Sequence, residues 1–305
     1  MIPSPHLQDY LTLCSLILCL LPFVYPPIRT RIKGFSTSNG IISLFCFGLF
    51  LLYPTAAWGL ESPSPSFSEE QLQQGEAIAK KAFTATEQGN FSQAEAYWSE
   101  LITSFPTNPA LWSNRGNARV SQNKLNEAIL DFNQAIELAP EATDPYLNRG
   151  AALEGQGKFS AAIEDYNRVL ELDPKDAMAY NNRGNAEAGL GQWQEALQDY
   201  HKSTELAPAF AWAFANEALA LYELQRTDEA LRKMKNIARK YPLFPDVRAA
   251  LTAILWTKGQ QGEAESNWVA AVGMDQRYQD IDWVQKVRRW PPTMVGALDK
   301  FLKLQ

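Results

Sequence analysis

Four asparagines, Asn114, Asn148, Asn182 and Asn216, recur at a step of 34 residues. Each side-chain amide both donates and accepts hydrogen bonds, as a peptide backbone does. A row of them suits non-covalent capture of another main chain. Covalent chemistry lacks material. The chain has three cysteines and two histidines. Cys14, Cys19 and Cys46 all lie in apolar runs before residue 59, so no thiol nucleophile, disulfide or zinc finger is expected after it. His201, the one histidine beyond that point, is expected at the surface. Gly155-Gln156-Gly157 and Gly189-Leu190-Gly191 lack the Lys-Ser/Thr of a phosphate loop. The expectation is a non-enzyme with no cofactor and no metal.

The elements that must carry these asparagines follow from length and period. The 305 residues are 46% hydrophobic and 20% charged, enough to fold, and the net charge of -6 argues against a nucleic-acid partner. Ala94, Ala128, Ala162, Ala196, Ala230 and Ala264 keep the same 34-residue step. So do Pro106, Pro140, Pro174, Pro208 and Pro242, and Asn-Arg-Gly recurs at 114–116, 148–150 and 182–184. Trp98, Phe132, Tyr166, Tyr200, Met234 and Trp268 fill a further register. Small residues at two fixed places let two helices approach closely, and the proline stops the second. Arg115, Arg149 and Arg183 are each followed sixteen residues later by Asp131, Asp165 and Asp199. In the next unit the signs swap to Glu217 and Lys233. This predicts a structural ion pair between the two helices or across adjacent units.

This pattern resembles the tetratricopeptide repeat family, whose 34-residue unit is a pair of antiparallel helices, A and B. Units are assigned to 75–108, 109–142, 143–176, 177–210, 211–244 and 245–278, with Trp112, Tyr146, Tyr180 and Phe214 at the fourth position. The first, fifth and last units depart at the eighth position, with Ala82, Ala218 and Thr252 in place of glycine. The resemblance implies an all-α, right-handed solenoid whose concave face is a binding groove. It places the four asparagines on A helices facing that groove. Adjacent units lie roughly 10 Å apart, about three residues of extended chain, so the ladder would hold a peptide by its main chain. The alternative is that these amides bond neighbouring helix backbones.

The resemblance makes Asn117, Asn181 and Asn185 groove accessories, with aromatic contacts from Trp212, Tyr222 and Trp256 towards the C-terminal end; the alternative for Trp212 and Trp256 is packing at helix interfaces. Acids stand at groove positions Asp144, Glu154, Glu223 and Asp246, and no Lys or Arg stands there in the four central units. The expected ligand is therefore a protein or extended peptide, neutral to mildly basic, with an apolar or aromatic anchor. Members of the family that grip acidic chaperone C-termini need Lys and Arg at these places, so no such ligand is expected.

Residues 1–59 contain apolar runs at 11–28 and 41–53, separated by Arg29, Arg31 and Lys33. Two readings stay open: a helical hairpin anchor, or a cleavable signal ending near Ala57 and Gly59. Both leave the basic cluster cytoplasmic and the remainder exported. Residues 60–74 read as a Pro/Ser linker and 279–305 as a tail that either caps the last repeat or docks a partner. The overall build resembles exported or thylakoid-associated repeat proteins of cyanobacteria and plastids, which implies the thylakoid lumen or the periplasm. The expected function is a membrane-associated scaffold for assembly of a membrane complex. Alternatives are a regulatory subunit of an enzyme, or a structural piece of envelope or pilus biogenesis using the convex face or the tail.

Overall fold

The computed structural model describes residues 67–304. The apolar runs at 11–28 and 41–53 lie outside the described residues. Among the described residues, no helix is long and apolar enough to cross a membrane. Compactness divides the chain between Glu76 and Ala77. Of the first part, 67–76 are described and form the start of helix α1 (Glu69–Glu87). That helix begins inside the stretch read as a linker. The reason is local: Gln71 N–H donates to Ser68 Oγ at 3.2 Å, and Ser68 N–H donates to Gln71 Oε1 at 2.9 Å. This reciprocal box satisfies two backbone donors that a helix start would otherwise leave free.

The second part is helical throughout its described length apart from its turns. Helices α2 (Phe91–Ser104), α3 (Pro109–Val120), α4 (Leu125–Leu138), α5 (Thr143–Gly155) and α6 (Phe159–Leu172) follow α1. Then come α7 (Ala177–Gly189), α8 (Trp193–Leu206), α9 (Ala211–Glu223), α10 (Thr227–Lys240), α11 (Pro245–Thr257) and α12 (Gln261–Met274). Odd-numbered members of this run are A helices and even-numbered members are B helices. A 3-10 turn (Gln276–Gln279), α13 (Ile281–Lys286) and α14 (Pro292–Leu302) complete the tail.

The repeating residues account for the stacking. All six in-register alanines are fully buried, and Trp98, Phe132, Tyr166, Tyr200, Met234 and Trp268 lie buried beside them. The glycines make room for rings: a Cβ on Gly116, Gly150 or Gly184 would stand 2.6 to 2.8 Å from Phe132, Tyr166 or Tyr200. Where the eighth residue is Ala218, the residue at the ring's position is the flexible Met234, and both are fully buried in one cluster. Each turn between A and B helices passes through one residue of positive φ: Gly89, Asn123, Gly157, Gly191, Gln225 and Gly259. The 34-residue step therefore contains a left-handed position, filled four times by glycine.

The ion pairs form both within and between repeats. Arg149 grips Asp165 through two bonds, 2.9 and 2.6 Å, and reaches back to Asn133 of the preceding B helix at 2.6 Å. Arg183 does the same with Asp199 and Asn167, and Arg115 with Asp131 and Ser99. In the sign-swapped unit Glu217 accepts from Lys233 at 2.8 Å, and His201 Nδ1 lies 3.0 Å from its other oxygen. The partner supplied by the preceding repeat changes with the sign, from Asn133 and Asn167 to His201. These arginines are tied to the scaffold.

Successive A helices pack on one another more closely than successive B helices, so the A helices line the concave side. The tail helix α14 rests on α9 and α11, the A helices of the last two repeats. It buries Met294, Val295, Ala297, Leu298 and Phe301 there. Each of the large side chains is worth roughly 1.5–3 kcal/mol when buried. An extensive apolar cluster accordingly runs from Ala196 to Phe301, whereas small clusters such as Ala128–Phe132–Ala152 join the central repeats.

Candidate functional site

The four asparagines of the ladder divide into two kinds. Asn114 on α3 and Asn148 on α5 are half-buried, and their side-chain amides make no hydrogen bond among the described residues. Asn182 and Asn216 are engaged. Asn181 donates to Asn182 Oδ1 at 3.2 Å. Asn216 donates to Asn181 Oδ1 at 3.0 Å and to Asn185 Oδ1 at 3.2 Å, and the Tyr200 hydroxyl donates to Asn185 at 3.0 Å. The accessory residues Asn181 and Asn185 thus join the fourth repeat to the fifth. Asn117, in contrast, keeps its side-chain amide free among the described residues. Of the expected ladder, two rungs and one neighbour present unpaired amides on the adjacent helices α3 and α5.

At the aromatic end Trp212 and Trp256 take the packing alternative, and Tyr222 packs with them. Trp212 meets Phe244 edge-on at 4.7 Å, and the Arg288 guanidinium covers it at 4.7 Å. Trp256 packs edge-on against Phe301 at 5.2 Å. Tyr222 is buried, its hydroxyl 3.5 Å from Thr257 Oγ1. These rings contribute to the interior and to the seat of the tail. A tail rich in Trp and Arg finds a better-matched surface there than water offers.

The groove acids are also taken by the tail. Asp246 is fully buried, and one of its oxygens accepts from Tyr278 at 2.6 Å, Arg288 at 2.8 Å and Trp290 at 3.0 Å. Burial pushes the Tyr278 hydroxyl well above its usual range, and the Asp246 charge adds to that. Burial opposes the charge on Arg288, but Asp246 outweighs it and holds the guanidinium firmly protonated. Glu223 accepts from the backbone of Thr293 at 2.9 Å. Glu154 accepts from Arg289 at 2.7 Å and, through its other oxygen, from the Tyr166 hydroxyl at 3.3 Å. The tail therefore caps the last repeat and also crosses the concave side as far as the third. The sequence does hold a signal for this: Arg288-Arg289-Trp290 against acids at three groove positions. Asp144 alone of the four acids accepts no side-chain hydrogen bond among the described residues, and burial raises its pKa, with Asp176 adding repulsion.

One carboxyl on α7 has no distinguishing sequence signal. Glu187 is pushed up to about 7 by burial, Asp199 adds repulsion, and Arg183 compensates only in part. Its Oε2 is buried without a partner. A carboxyl raised in the folded state favours folding when protonated, so its contribution is full at low pH and is lost as pH rises from about 4.5 to about 7. Glu187→Gln should match the parent protein near about pH 5 and exceed its urea midpoint near about pH 8. An equal gain at both values would sink this account. Among the described residues no group of three His, Cys, Asp or Glu side chains is placed to hold a metal.

Three family models match the chain. One described as TPR repeat covers residues 116–157 and 155–191, and two described as Tetratricopeptide repeat cover 177–210 and 216–243. No curated sequence matches. Among solved structures, a tetratricopeptide repeat protein from Parabacteroides merdae ATCC 43184 is similar at 20% identity and TM-score 0.57, over 76% of this chain and 93% of that one. Cut9-Hcn1, an APC/C hetero-tetramer, is similar at 17% identity and TM-score 0.62, over 75% and 42%. The first TPR of Spaghetti (RPAP3), bound to the HSP90 peptide SRMEEVD, is 31% identical over 39% of this chain and 94% of its own, at TM-score 0.38. At these identities the first two show the fold. Period, buried alanines, helix pairing and family matches agree: the repeats of this chain belong to the tetratricopeptide repeat family.

Proposed function

We propose that this protein is a non-catalytic scaffold that holds an extended segment of a partner in the open stretch of its concave groove. The observation that carries this is the pair of half-buried amides of Asn114 and Asn148 on adjacent A helices, unpaired among the described residues. A groove amide without a partner is poised to exchange water for a peptide backbone. Ligand capture centres on the second and third repeats, since α14 covers the concave side of the last two and the groove asparagines of the fourth are bonded to one another and to Asn216. Asp144, with no cation against it among the described residues, favours a neutral or mildly basic segment. Membrane association through residues 1–59, export of the repeats and a place in assembly of a membrane complex belong to the same reading, on the strength of the apolar runs and the basic cluster between them.

The test uses extended peptides selected from a random library against the full-length protein. Replacing Asn114 and Asn148 together by alanine should weaken such peptides by about tenfold or more, at about 0.5–1.5 kcal/mol for each bond lost. Unchanged affinity with unchanged helicity would rule out the ladder. Protease protection on sealed native membranes tests export independently: digestion without detergent would exclude it.

A further inference from the structure

Most of the tail cannot leave its seat. Trp290, Met294, Leu298 and Phe301 are buried, and Arg288 is tied to the fully buried Asp246. Arg289 is different. Its side chain is 40% exposed, its backbone takes a φ of +53°, and Val287 two residues before it is 62% exposed. A non-glycine residue in that left-handed conformation is strained. Arg289 nevertheless spans the groove to the end of α5, where Nη1 donates to Glu154 Oε1 at 2.7 Å and Nη2 to the Glu154 carbonyl at 3.2 Å. The Phe159 ring lies 5.8 Å from its guanidinium carbon.

The receiving side is built and rigid. Glu154 is only 15% exposed, and its second oxygen is held by the Tyr166 hydroxyl of the same repeat. Phe159 is wedged against Gly189 of the next repeat, where a Cβ would stand 2.5 Å from the ring. Carboxylate, carbonyl and ring face together make a socket for one planar guanidinium. Burial alone raises the Glu154 carboxyl, and the Arg289 charge works against that rise. An emptied socket therefore leaves a poorly solvated carboxyl in want of a cation.

We propose that the Glu154–Phe159 socket is the specificity subsite of the groove for an arginine of the partner segment, and that Arg289 is a self-ligand that occupies it until the partner competes it away. This rests on the groove-binding reading above. The free amide of Asn148 lies six residues before Glu154 on α5, roughly 9 Å along the helix axis. A segment held at Asn114 and Asn148 thus reaches the socket within about three further residues. The partner is a polypeptide with an exposed arginine beside an aromatic residue, the chemistry that the tail itself displays as Arg288-Arg289-Trp290.

The probe is a labelled peptide with the chain's own residues 286–293, Lys-Val-Arg-Arg-Trp-Pro-Pro-Thr, added to the full-length protein and followed by fluorescence polarisation. Arg289→Ala should bind it at least tenfold more tightly than the parent chain, because the competing side chain is gone. Adding Glu154→Gln should remove that gain. The same peptide with both arginines replaced by citrulline should bind neither protein better than the other. Equal affinity for the parent chain and Arg289→Ala overturns the proposal, as does a gain that survives Glu154→Gln. If library-selected peptides lose affinity in the Asn114/Asn148 variant but carry no arginine and ignore Arg289→Ala, the groove reading stands and the socket alone fails. Circular dichroism of each variant separates these results from loss of fold.

Discussion

Replacing Asp246 with alanine is expected to release the tail and destabilise the last two repeats by about 3–5 kcal/mol. The carboxylate is fully buried and collects three donors on one oxygen, from Tyr278, Arg288 and Trp290. Removing it leaves a guanidinium and two ring donors in the interior without their acceptor. The charge is the expensive part, since among the described residues Arg288 is paired with no other acid. Asp246→Asn keeps an acceptor of similar shape and should cost less than the alanine change, so the difference between the two reads the charge. A solenoid unfolds by neighbouring units, so the loss should be local. Hydrogen exchange should accelerate in α11 to α14 while α3 to α6 stay protected. A change under about 1 kcal/mol, or uniform acceleration along the array, would refute the account of Asp246 as the anchor of the tail.

The second large effect belongs to Gly150. Alanine there places a Cβ 2.6 Å from the Tyr166 ring, which is fully buried. Helix propensity alone favours alanine over glycine by about 1 kcal/mol. Overpacking costs about 1–3 kcal/mol and should win, because Tyr166 cannot turn aside without losing its bond to Glu154. Gly296, in the middle of α14, is the control. A Cβ there meets nothing within 4 Å, so Gly296→Ala should stabilise by up to about 1 kcal/mol. Denaturant midpoints of the two variants should therefore move in opposite directions. Movement in the same direction would show that packing against the ring does not decide the glycine.

Much of the scaffold is legible in one dimension. The alanines, glycines and aromatics recur because each repeat solves the same packing problem, and a 34-residue step reports that directly. The Arg-to-Glu swap at 217 with its Asp-to-Lys partner at 233 was legible for the same reason. The third member, changing from Asn133 and Asn167 to His201, lies in the preceding repeat and shows only when helices are stacked. The start of α1 was missed because the Pro/Ser composition before it masked the Ser68–Gln71 box.

The candidate site was less legible. Its four asparagines occupy equivalent positions, yet Asn216 is spent on Asn181 and Asn185 while Asn114 and Asn148 make no side-chain hydrogen bond among the described residues. Which amide finds a partner depends on the residue one repeat away, and the period does not encode that neighbour. Trp212 and Trp256 stay open between ligand contact and interface packing in the sequence, because nothing there says what covers them.

By itself, then, the sequence determined the all-helical repeat, its register, the small-against-large packing of the hairpins and the charge pairing of the second to fifth units. All of these are local or recur at a constant separation, so periodicity reveals them. Only the tertiary structure decided that the tail returns across the concave side, that Asp246 anchors it and that Arg289 reaches Glu154 across 135 residues of sequence. Those contacts occur once and join non-repeating segments. Their stability comes from burial and charge pairing that exist only after the solenoid has brought the acids of three different A helices to one face.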